Sequence, residues 1–219
     1  MTSSEQNLSQ RVARALLEVR AVFLRPDEPF TWASGIKSPV YCDNRLTLSS
    51  HKVRSLIEEG IASTVREHYP DCQALMGTST AGIPHAAIAA HLLELPMGYV
   101  RTGQKDHGRK NQIEGRLDPG QKVVVIEDLI STAGSVVEVA EILRAAGAQV
   151  LGIVSIFTYG MQKGLERLRQ AGIFNHSLTD FDTLVELAAS ENYIAQRDVE
   201  RLLAFRRDPA DESWIGDKR

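Results

Sequence analysis

VVVIEDLISTAGSVVEVAEIL, residues 123–143, is the stretch that decides the fold. Its first part is apolar without alternation, which is typical of a central parallel strand that is buried on both faces. The strand is expected to end at two adjacent acids, Glu127 and Asp128. A helix is expected to start near Ser135, after a loop made only of small and hydroxyl residues: Ser131, Thr132, Ala133 and Gly134.

A strand that feeds a helix through small residues predicts a site for an anion. Free backbone N–H groups at the helix start point at the loop, and the helix dipole favours negative charge there. Two carboxylates that faced a phosphate would repel it, so Glu127 and Asp128 are expected to accept hydrogen bonds from sugar hydroxyls beside it. Ligands of open α/β sheets bind at this end of the strands. The segment therefore predicts a site for a sugar phosphate, although the loop alone is equally typical of an ordinary turn.

Strands and helices alternate around this segment, which predicts an α/β fold with a mainly parallel sheet covered by helices on both faces. Strands are expected in QALMG, MGYVR, KVVVIED and QVLGIVSIFTY, and helices in residues 8–24, 48–69, 83–93 and 135–146. Beyond residue 160 we expect two or three short helices with a loop around Asn175. One domain is expected, with a hood at about 1–46, a core at about 47–160 and C-terminal helices at about 161–219.

Composition narrows the class of protein. The chain has 219 residues, of which 43% are hydrophobic and 24% are charged, as in ordinary globular proteins. No apolar run reaches the length of a membrane span and the N-terminus has no apolar signal core, so a cytoplasmic location is expected. The net charge of -3 argues against a nucleic-acid partner. Cys42 and Cys72 stand alone, and the histidines lack metal-binding spacing, so no metal held by protein ligands is expected. Surface or helix-capping roles are expected for five histidines: His51, His68, His85, His91 and His176.

Two further segments have the composition of phosphate-binding loops. GTSTAGIPHAA, residues 77–87, follows a short apolar strand and opens a helix, so a second phosphate group can approach its backbone. YVRTGQKDHGRKNQIEG, residues 99–115, is rich in glycine and cations and predicts a mobile loop between strands. Its glycine spacing also suggests a nucleoside-triphosphate loop, but Arg109 stands where that loop needs lysine. A solvated charged loop is the other interpretation.

Residues 123–135 resemble the signature of type I phosphoribosyltransferases, and the resemblance implies that fold. It implies that Glu127 and Asp128 hold the ribose hydroxyls of phosphoribosyl pyrophosphate, while residues 131–135 hold its 5-phosphate. GTSTAGIPHAA resembles the family's pyrophosphate loop, which would place the pyrophosphate against Thr78, Ser79, Thr80, Ala81 and Gly82. Residues 99–115 resemble the catalytic loop of the orotate enzymes, whose pyrophosphate-binding cations correspond here to Arg101, Lys105 and His107, with Arg109 as a further cation.

The hood sequence FTWASGIKSPVYCDNRL, residues 30–46, resembles the base-binding hood of orotate phosphoribosyltransferases. Orotate is a flat anion, so its site needs an apolar face and donors for its carboxylate. Phe30 and Tyr41 would supply the face, although simple core packing explains them equally well. Lys37 and Arg45 are the nearby cations, and Arg45 is expected to fork onto the carboxylate.

The resemblance implies transfer of a phosphoribosyl group to orotate, with Mg2+ held mainly by pyrophosphate and ribose oxygens and with Asp128, Arg101, Lys105 and His107 as catalytic residues. It also implies a homodimer in which residues 102–111 complete the partner's site. Where many members have lysines, this chain has Ala33, Ala81 and Thr102, and Tyr159 lies where some have an orotate-binding arginine. Two alternatives remain open: a phosphoribosyltransferase that acts on another base, and a non-catalytic regulator that senses phosphoribosyl pyrophosphate.

Overall fold

The computed structural model describes residues 3–32, 35–101 and 112–215. Six strands form the central sheet: β5 (Ala74–Thr78), β6 (Met97–Val100), β7 (Ile113–Glu114), β8 (Lys122–Ile130), β9 (Gln149–Thr158) and β10 (Asn175–Asp180). Their order is β10-β9-β8-β5-β6-β7, and every neighbouring pair is parallel except β6 and β7. The predicted mainly parallel sheet is thus confirmed.

Seven helices accompany the sheet in the described ranges: α1 (Ser3–Glu18), α2 (His51–His68), α3 (Gly82–Leu93), α4 (Gly134–Ala145), α5 (Gln162–Gln170), α6 (Phe181–Ser190) and α7 (Val199–Arg207). Helices α4 and α5 share one buried apolar cluster with one face of the sheet, and α1, α2, α3, α6 and α7 share another with the opposite face. Helices therefore cover both faces, as the sequence predicts. None of the helices in the described ranges combines the length and the apolarity needed to cross a membrane.

Strand β8 lies in the middle of the sheet, between β5 and β9. Its residues from Val123 to Ile126 are fully buried, which explains why the segment is apolar without alternation. The strand was expected to end at the acid pair. It continues instead to Ile130, because Leu129 and Ile130 still pair with β9. Asp128 therefore lies within β8, two residues before its end, rather than in the loop that follows the strand.

The hood consists of two small antiparallel ribbons. Strand β1 (Val22–Leu24) pairs with β4 (Val40–Cys42), and β2 (Phe30–Thr31) pairs with β3 (Lys37–Ser38). The expectation that the first helix runs to residue 24 was wrong, because α1 ends at Glu18 and a turn with Arg20 at a φ of 56° redirects the chain into β1. The apolar residues after that turn pack as a strand instead of continuing a helix.

The C-terminal segment adds a strand to the sheet. The loop expected around Asn175 was wrong, because Asn175–Asp180 forms the edge strand β10 beside β9. A polar cluster joins the two strands: the hydroxyl oxygens of Ser155 and Ser177 lie 2.6 Å apart, and the Asn175 amide donates to Ser177 at 2.8 Å. The polar composition of β10 concealed a strand that these hydrogen bonds stabilise.

Candidate active site

The loop between β8 and α4 leaves the start of the helix open. Ala133 occupies the cap position in the left-handed conformation, with φ 58°, and its side chain makes no capping hydrogen bond. The first N–H groups of an α-helix have no acceptor within the helix. Ser131 and Thr132 are half-buried and Ser135 is exposed, so hydroxyl donors surround these amides. The arrangement is that of a phosphate cradle.

Helix α5 supports this loop from behind. The Arg167 guanidinium donates to the Thr132 carbonyl oxygen at 2.8 Å. A Cβ atom on Gly164 would lie 2.5 Å from the Ser131 carbonyl oxygen, and one on Gly134 would lie 2.8 Å from Arg167 Nη1. Glycine at 164 thus allows a close backbone approach that any side chain would prevent, whereas a side chain at 134 would require the Arg167 guanidinium to move. Sequence reasoning missed Arg167 and Gly164, because only the packing of α5 brings them to the loop.

The acid pair has two distinct environments. Glu127 is 6% exposed, and its Oε1 accepts hydrogen bonds from the Thr78 hydroxyl at 2.8 Å and from the Asp128 amide at 3.0 Å. Burial, followed by the adjacent Asp128 carboxylate, raises the pKa of Glu127 to about 8. Asp128 is only half-buried. Asp128 is therefore the more accessible acid, and Glu127 links β8 to Thr78, the last residue of β5.

The second loop lies beside the first, because β5 and β8 are adjacent parallel strands. Residues 79–81 join β5 to α3, the Ser79–Thr80 peptide bond is cis, and Ala81 provides no side-chain cap for α3. A Cβ atom on Gly82 would lie 2.5 Å from the Ile126 carbonyl oxygen. Glycine at this position therefore lets the start of α3 pack directly on β8. Two open helix starts consequently lie at the same edge of the sheet, with the acid pair on β8, one of the two strands that lead to them.

The hood is hydrogen-bonded to this edge. The Asn44 side-chain amide donates to the Asp128 carbonyl oxygen at 2.7 Å, a contact that sequence reasoning missed. This hydrogen bond places Asp128 on the hood side of the site. Burial and then the nearby Asp128 carboxylate raise the pKa of the Cys42 thiol. The rings of Phe30 and Tyr41 are 5.6 Å apart, and 43% of Tyr41 is exposed.

The two hood cations have partners within the chain. The Lys37 ammonium donates to the Thr31 hydroxyl at 2.7 Å. The Arg45 guanidinium forks onto the Asp43 carboxylate at 2.6 and 2.7 Å, and its side chain is 66% exposed. Asp43 thus occupies the Nε–Nη2 edge of Arg45, and the Nη1–Nη2 edge is the one that can fork onto a ligand carboxylate.

The candidate catalytic loop begins from a short ladder in which Tyr99 pairs with Glu114 and Val100 with Ile113. Arg101 follows this ladder, and its Nε lies 2.9 Å from a carboxylate oxygen of Glu114. Lys105, His107 and Arg109 fall in residues 102–111, which lie outside the described part of the chain. Arg101 is thus the one member of the predicted cation set that the structure describes.

A surface or helix-capping role was expected for His85, and this expectation was wrong. His85 is fully buried on α3, and its Nδ1 lies 2.6 Å from Oε1 of the equally buried Glu58 on α2. His68 and His176 stack with ring centroids 3.8 Å apart. Within the described residues, no group of three or more His, Cys, Asp or Glu side chains could hold a metal ion.

Comparison with known proteins gives a consistent result. Residues 47–179 match the family model described as the phosphoribosyl transferase domain. The chain is 55% identical to orotate phosphoribosyltransferase of Bacillus subtilis over 96% of its length and 97% of the relative, and 52% identical to that of Bacillus cereus over 95% and 99%.

Solved structures agree. The orotate phosphoribosyltransferase of Aeropyrum pernix superposes with a TM-score of 0.73 at 29% identity, over 84% of this chain and 99% of that one. The UMP synthase of Leishmania donovani superposes with a TM-score of 0.76 at 27% identity, over 90% of this chain and 42% of that one.

Proposed function

The chain belongs to the phosphoribosyltransferase family, and we propose that it transfers the 5-phosphoribosyl group of phosphoribosyl pyrophosphate to orotate, giving orotidine 5-phosphate and pyrophosphate in pyrimidine biosynthesis. One observation carries the proposal: two uncapped helix starts flank an acid pair at one edge of the sheet. This arrangement suits a ligand with a phosphoryl group at each end and a sugar between them. The curated orotate phosphoribosyltransferases that match nearly the full chain support orotate as the base.

The donor substrate occupies both loops in this proposal. Its 5-phosphate accepts hydrogen bonds from the amides and hydroxyls of residues 131–135, and its pyrophosphate lies against residues 78–82. Asp128 accepts hydrogen bonds from the ribose hydroxyls, because it is the more accessible of the two acids. Burial and the adjacent Asp128 carboxylate raise the pKa of Glu127 to about 8, which favours its neutral form and so reduces the negative charge beside the pyrophosphate.

Magnesium fits this site as an ion held mainly by the substrate. The acid pair offers carboxylate oxygens, the type of ligand that Mg2+ prefers, but the described residues offer no cluster of three protein ligands. Asp128 is the residue that would contribute to holding the ion, alongside oxygens of pyrophosphate and ribose. When bound, the ion stabilises the negative charge of the departing pyrophosphate.

The residues of the chain position the two reactants for a direct displacement. Orotate packs against the hood aromatics Phe30 and Tyr41, with its carboxylate near Lys37 or Arg45. The ring nitrogen attacks the anomeric carbon as the bond to pyrophosphate breaks, with inversion and without a covalent enzyme intermediate, and its proton is released to the departing pyrophosphate or to water. Arg101, with Lys105, His107 and Arg109, stabilises the charge that develops on the leaving group. Covering of the site by residues 102–111 of a second copy in a homodimer, and a cytoplasmic location, stay predictions.

The test is the loss of orotate absorbance when phosphoribosyl pyrophosphate and Mg2+ are added to the purified protein. The same protein is offered uracil, hypoxanthine and adenine under identical conditions, and formation of each nucleotide is measured. Turnover of orotate with little or none of the other bases supports the proposal. Turnover of a purine or of uracil in preference to orotate would contradict it and would support a transferase for another base.

A further inference from the structure

Arg201 of α7 joins three separate parts of the chain through one guanidinium group. An arginine has five N–H donors, and here all five are used. Their acceptors, at 2.7 to 2.9 Å, are the carbonyl oxygens of Pro26, Trp214 and Ile215 and the carboxylates of Asp27 and Asp198. Pro26 and Asp27 belong to the hood, whereas Trp214 and Ile215 form the C-terminal 3-10 turn Ser213–Ile215. Arg201 thus ties the start of the hood to the end of the described chain.

A column of aromatic rings makes a second connection between the same parts. The Trp32 ring of the hood meets the Phe205 ring of α7 edge-on at 5.8 Å and the Tyr159 ring, just beyond β9, at 5.9 Å. Phe205 in turn contacts the Trp214 ring at 5.6 Å. Phe205 is fully buried, and Tyr159 and Trp214 are 3% and 4% exposed. Edge-to-face pairs of this kind are directional, so they fix the orientation of Trp32 as well as its distance.

These two connections attach the chain on either side of Phe30, a hood residue that contacts the base in the proposed reaction. Arg201 holds the chain at Pro26 and Asp27, the aromatic column holds it at Trp32, and Phe30 lies between the two attachment points. Phe30 contacts Tyr41 of β4, the strand that leads to Asn44 and its hydrogen bond to Asp128. The position of Phe30 relative to the ribose site therefore depends on both attachments.

We propose that Arg201 and Trp214, with Phe205, form a C-terminal clasp that positions the hood over the base and so sets the affinity for orotate. The inference rests on the proposed function. None of the three residues lies in the phosphate loops or in the acid pair, so they are positioning residues and not catalytic ones. The phosphate cradle of residues 131–135 is supported instead by α5, through Arg167. Loosening the clasp should consequently disturb the base site and leave the donor site intact.

The experiment compares Arg201→Gln, Arg201→Lys and the control Arg14→Gln with the unsubstituted protein. Arg14 also forms an ion pair, with Glu191 at 2.6 Å, but this pair joins α1 to the end of α6 and lies outside the two ribbons of the hood. The Michaelis constants for orotate and for phosphoribosyl pyrophosphate are measured separately. We expect Arg201→Gln to raise the constant for orotate about tenfold, equivalent to about 1.4 kcal/mol, with the constant for phosphoribosyl pyrophosphate unchanged. Arg201→Lys, which keeps the charge but only three donors, should give a smaller rise.

Tryptophan fluorescence shows whether the clasp has loosened without unfolding. The sequence has only two tryptophans, and both Trp32 and Trp214 belong to the clasp or touch it. A red shift in the folded Arg201→Gln protein, absent from Arg14→Gln, is expected. Equal rises of both Michaelis constants, or no rise for orotate, would overturn the clasp as a positioning element. In that case orotate turnover by the unsubstituted protein would still support the proposed function, whereas an unsubstituted protein that leaves orotate unchanged would overturn both.

Discussion

Gly164→Ala offers a test of the phosphate cradle from outside the loop itself. The new Cβ atom would lie 2.5 Å from the Ser131 carbonyl oxygen, whereas ordinary contact begins at 3.4 Å. Helix α5 and the loop must therefore separate by close to one ångström. Misplacement of a binding group by about 1 Å costs about 100-fold in catalysis, or about 2.7 kcal/mol. We expect kcat/KM for phosphoribosyl pyrophosphate to fall by about that factor.

The same substitution should leave the protein folded. Alanine in a helix is favoured over glycine by about 0.5–1 kcal/mol, and the overpacking costs about 1–3 kcal/mol. The net loss is smaller than the stability of a typical domain, about 5–15 kcal/mol. The assay is the decrease in orotate absorbance at varied phosphoribosyl pyrophosphate concentration, with a urea unfolding curve for each protein.

Gly60→Ala is the matched control. Gly60 lies inside α2, and the nearest atoms that a Cβ atom there would meet from other elements are side-chain atoms of Leu178 and Leu8, at 3.1 to 3.5 Å. Those side chains can adjust, so kinetics with phosphoribosyl pyrophosphate should remain those of the unsubstituted protein. A Gly164→Ala protein whose kcat/KM for phosphoribosyl pyrophosphate stays within about twofold of that of the unsubstituted protein would contradict the prediction. The loop would then not be the phosphate site that its geometry suggests.

Three further predictions concern the acids and the cationic loop. Asp128→Asn should lower turnover at least about 100-fold with an unchanged unfolding curve, because ribose positioning is lost; a near-normal rate would remove Asp128 from the site. Because the pKa of Glu127 is raised, the folded protein binds one more proton than the unfolded chain between the ordinary carboxyl pKa and about 8, so the free energy of unfolding should fall as pH rises through that window. The free energy of unfolding in urea is measured against pH for Glu127→Gln and for the unsubstituted protein, and parallel curves would contradict this prediction. Mixing inactive Lys105→Ala and inactive Asp128→Asn proteins should restore partial activity if Lys105 serves the partner's site; no recovery in proven hybrid dimers would refute that role.

The sequence predicts those parts of the fold where local composition and tertiary context agree. Val123 to Ile126 are apolar without interruption because the strand is covered on both faces, and small residues follow because α4 begins beside a loop that must stay open. Both features are local, so a single segment reveals them. The two loops and the acid pair meet because β5 and β8 are adjacent parallel strands. The alternation of strands and helices predicts a parallel sheet but not this order of its strands.

Features that depend on distant partners were missed. Val22 and Leu24 fit a helix as well as a strand, and only pairing with β4 decides between them. The polar residues of β10 form a strand because β9 offers a free edge and Ser155 a hydrogen-bonding partner.

Side-chain contacts between distant segments left even less trace in the sequence. Burial of His85 depends on Glu58, one helix away, and Arg167 reaches the phosphate loop only because Gly164 lets α5 approach. None of these contacts has a periodicity or motif that local reasoning can detect.

A crystal structure of the protein with ribose 5-phosphate bound tests the central claim most directly. The account predicts phosphate oxygens within about 3 Å of the backbone N–H groups of residues 132–135, with a ribose hydroxyl donating to the Asp128 carboxylate. A phosphate bound elsewhere, with the start of α4 empty and Asp128 away from the sugar, would contradict it.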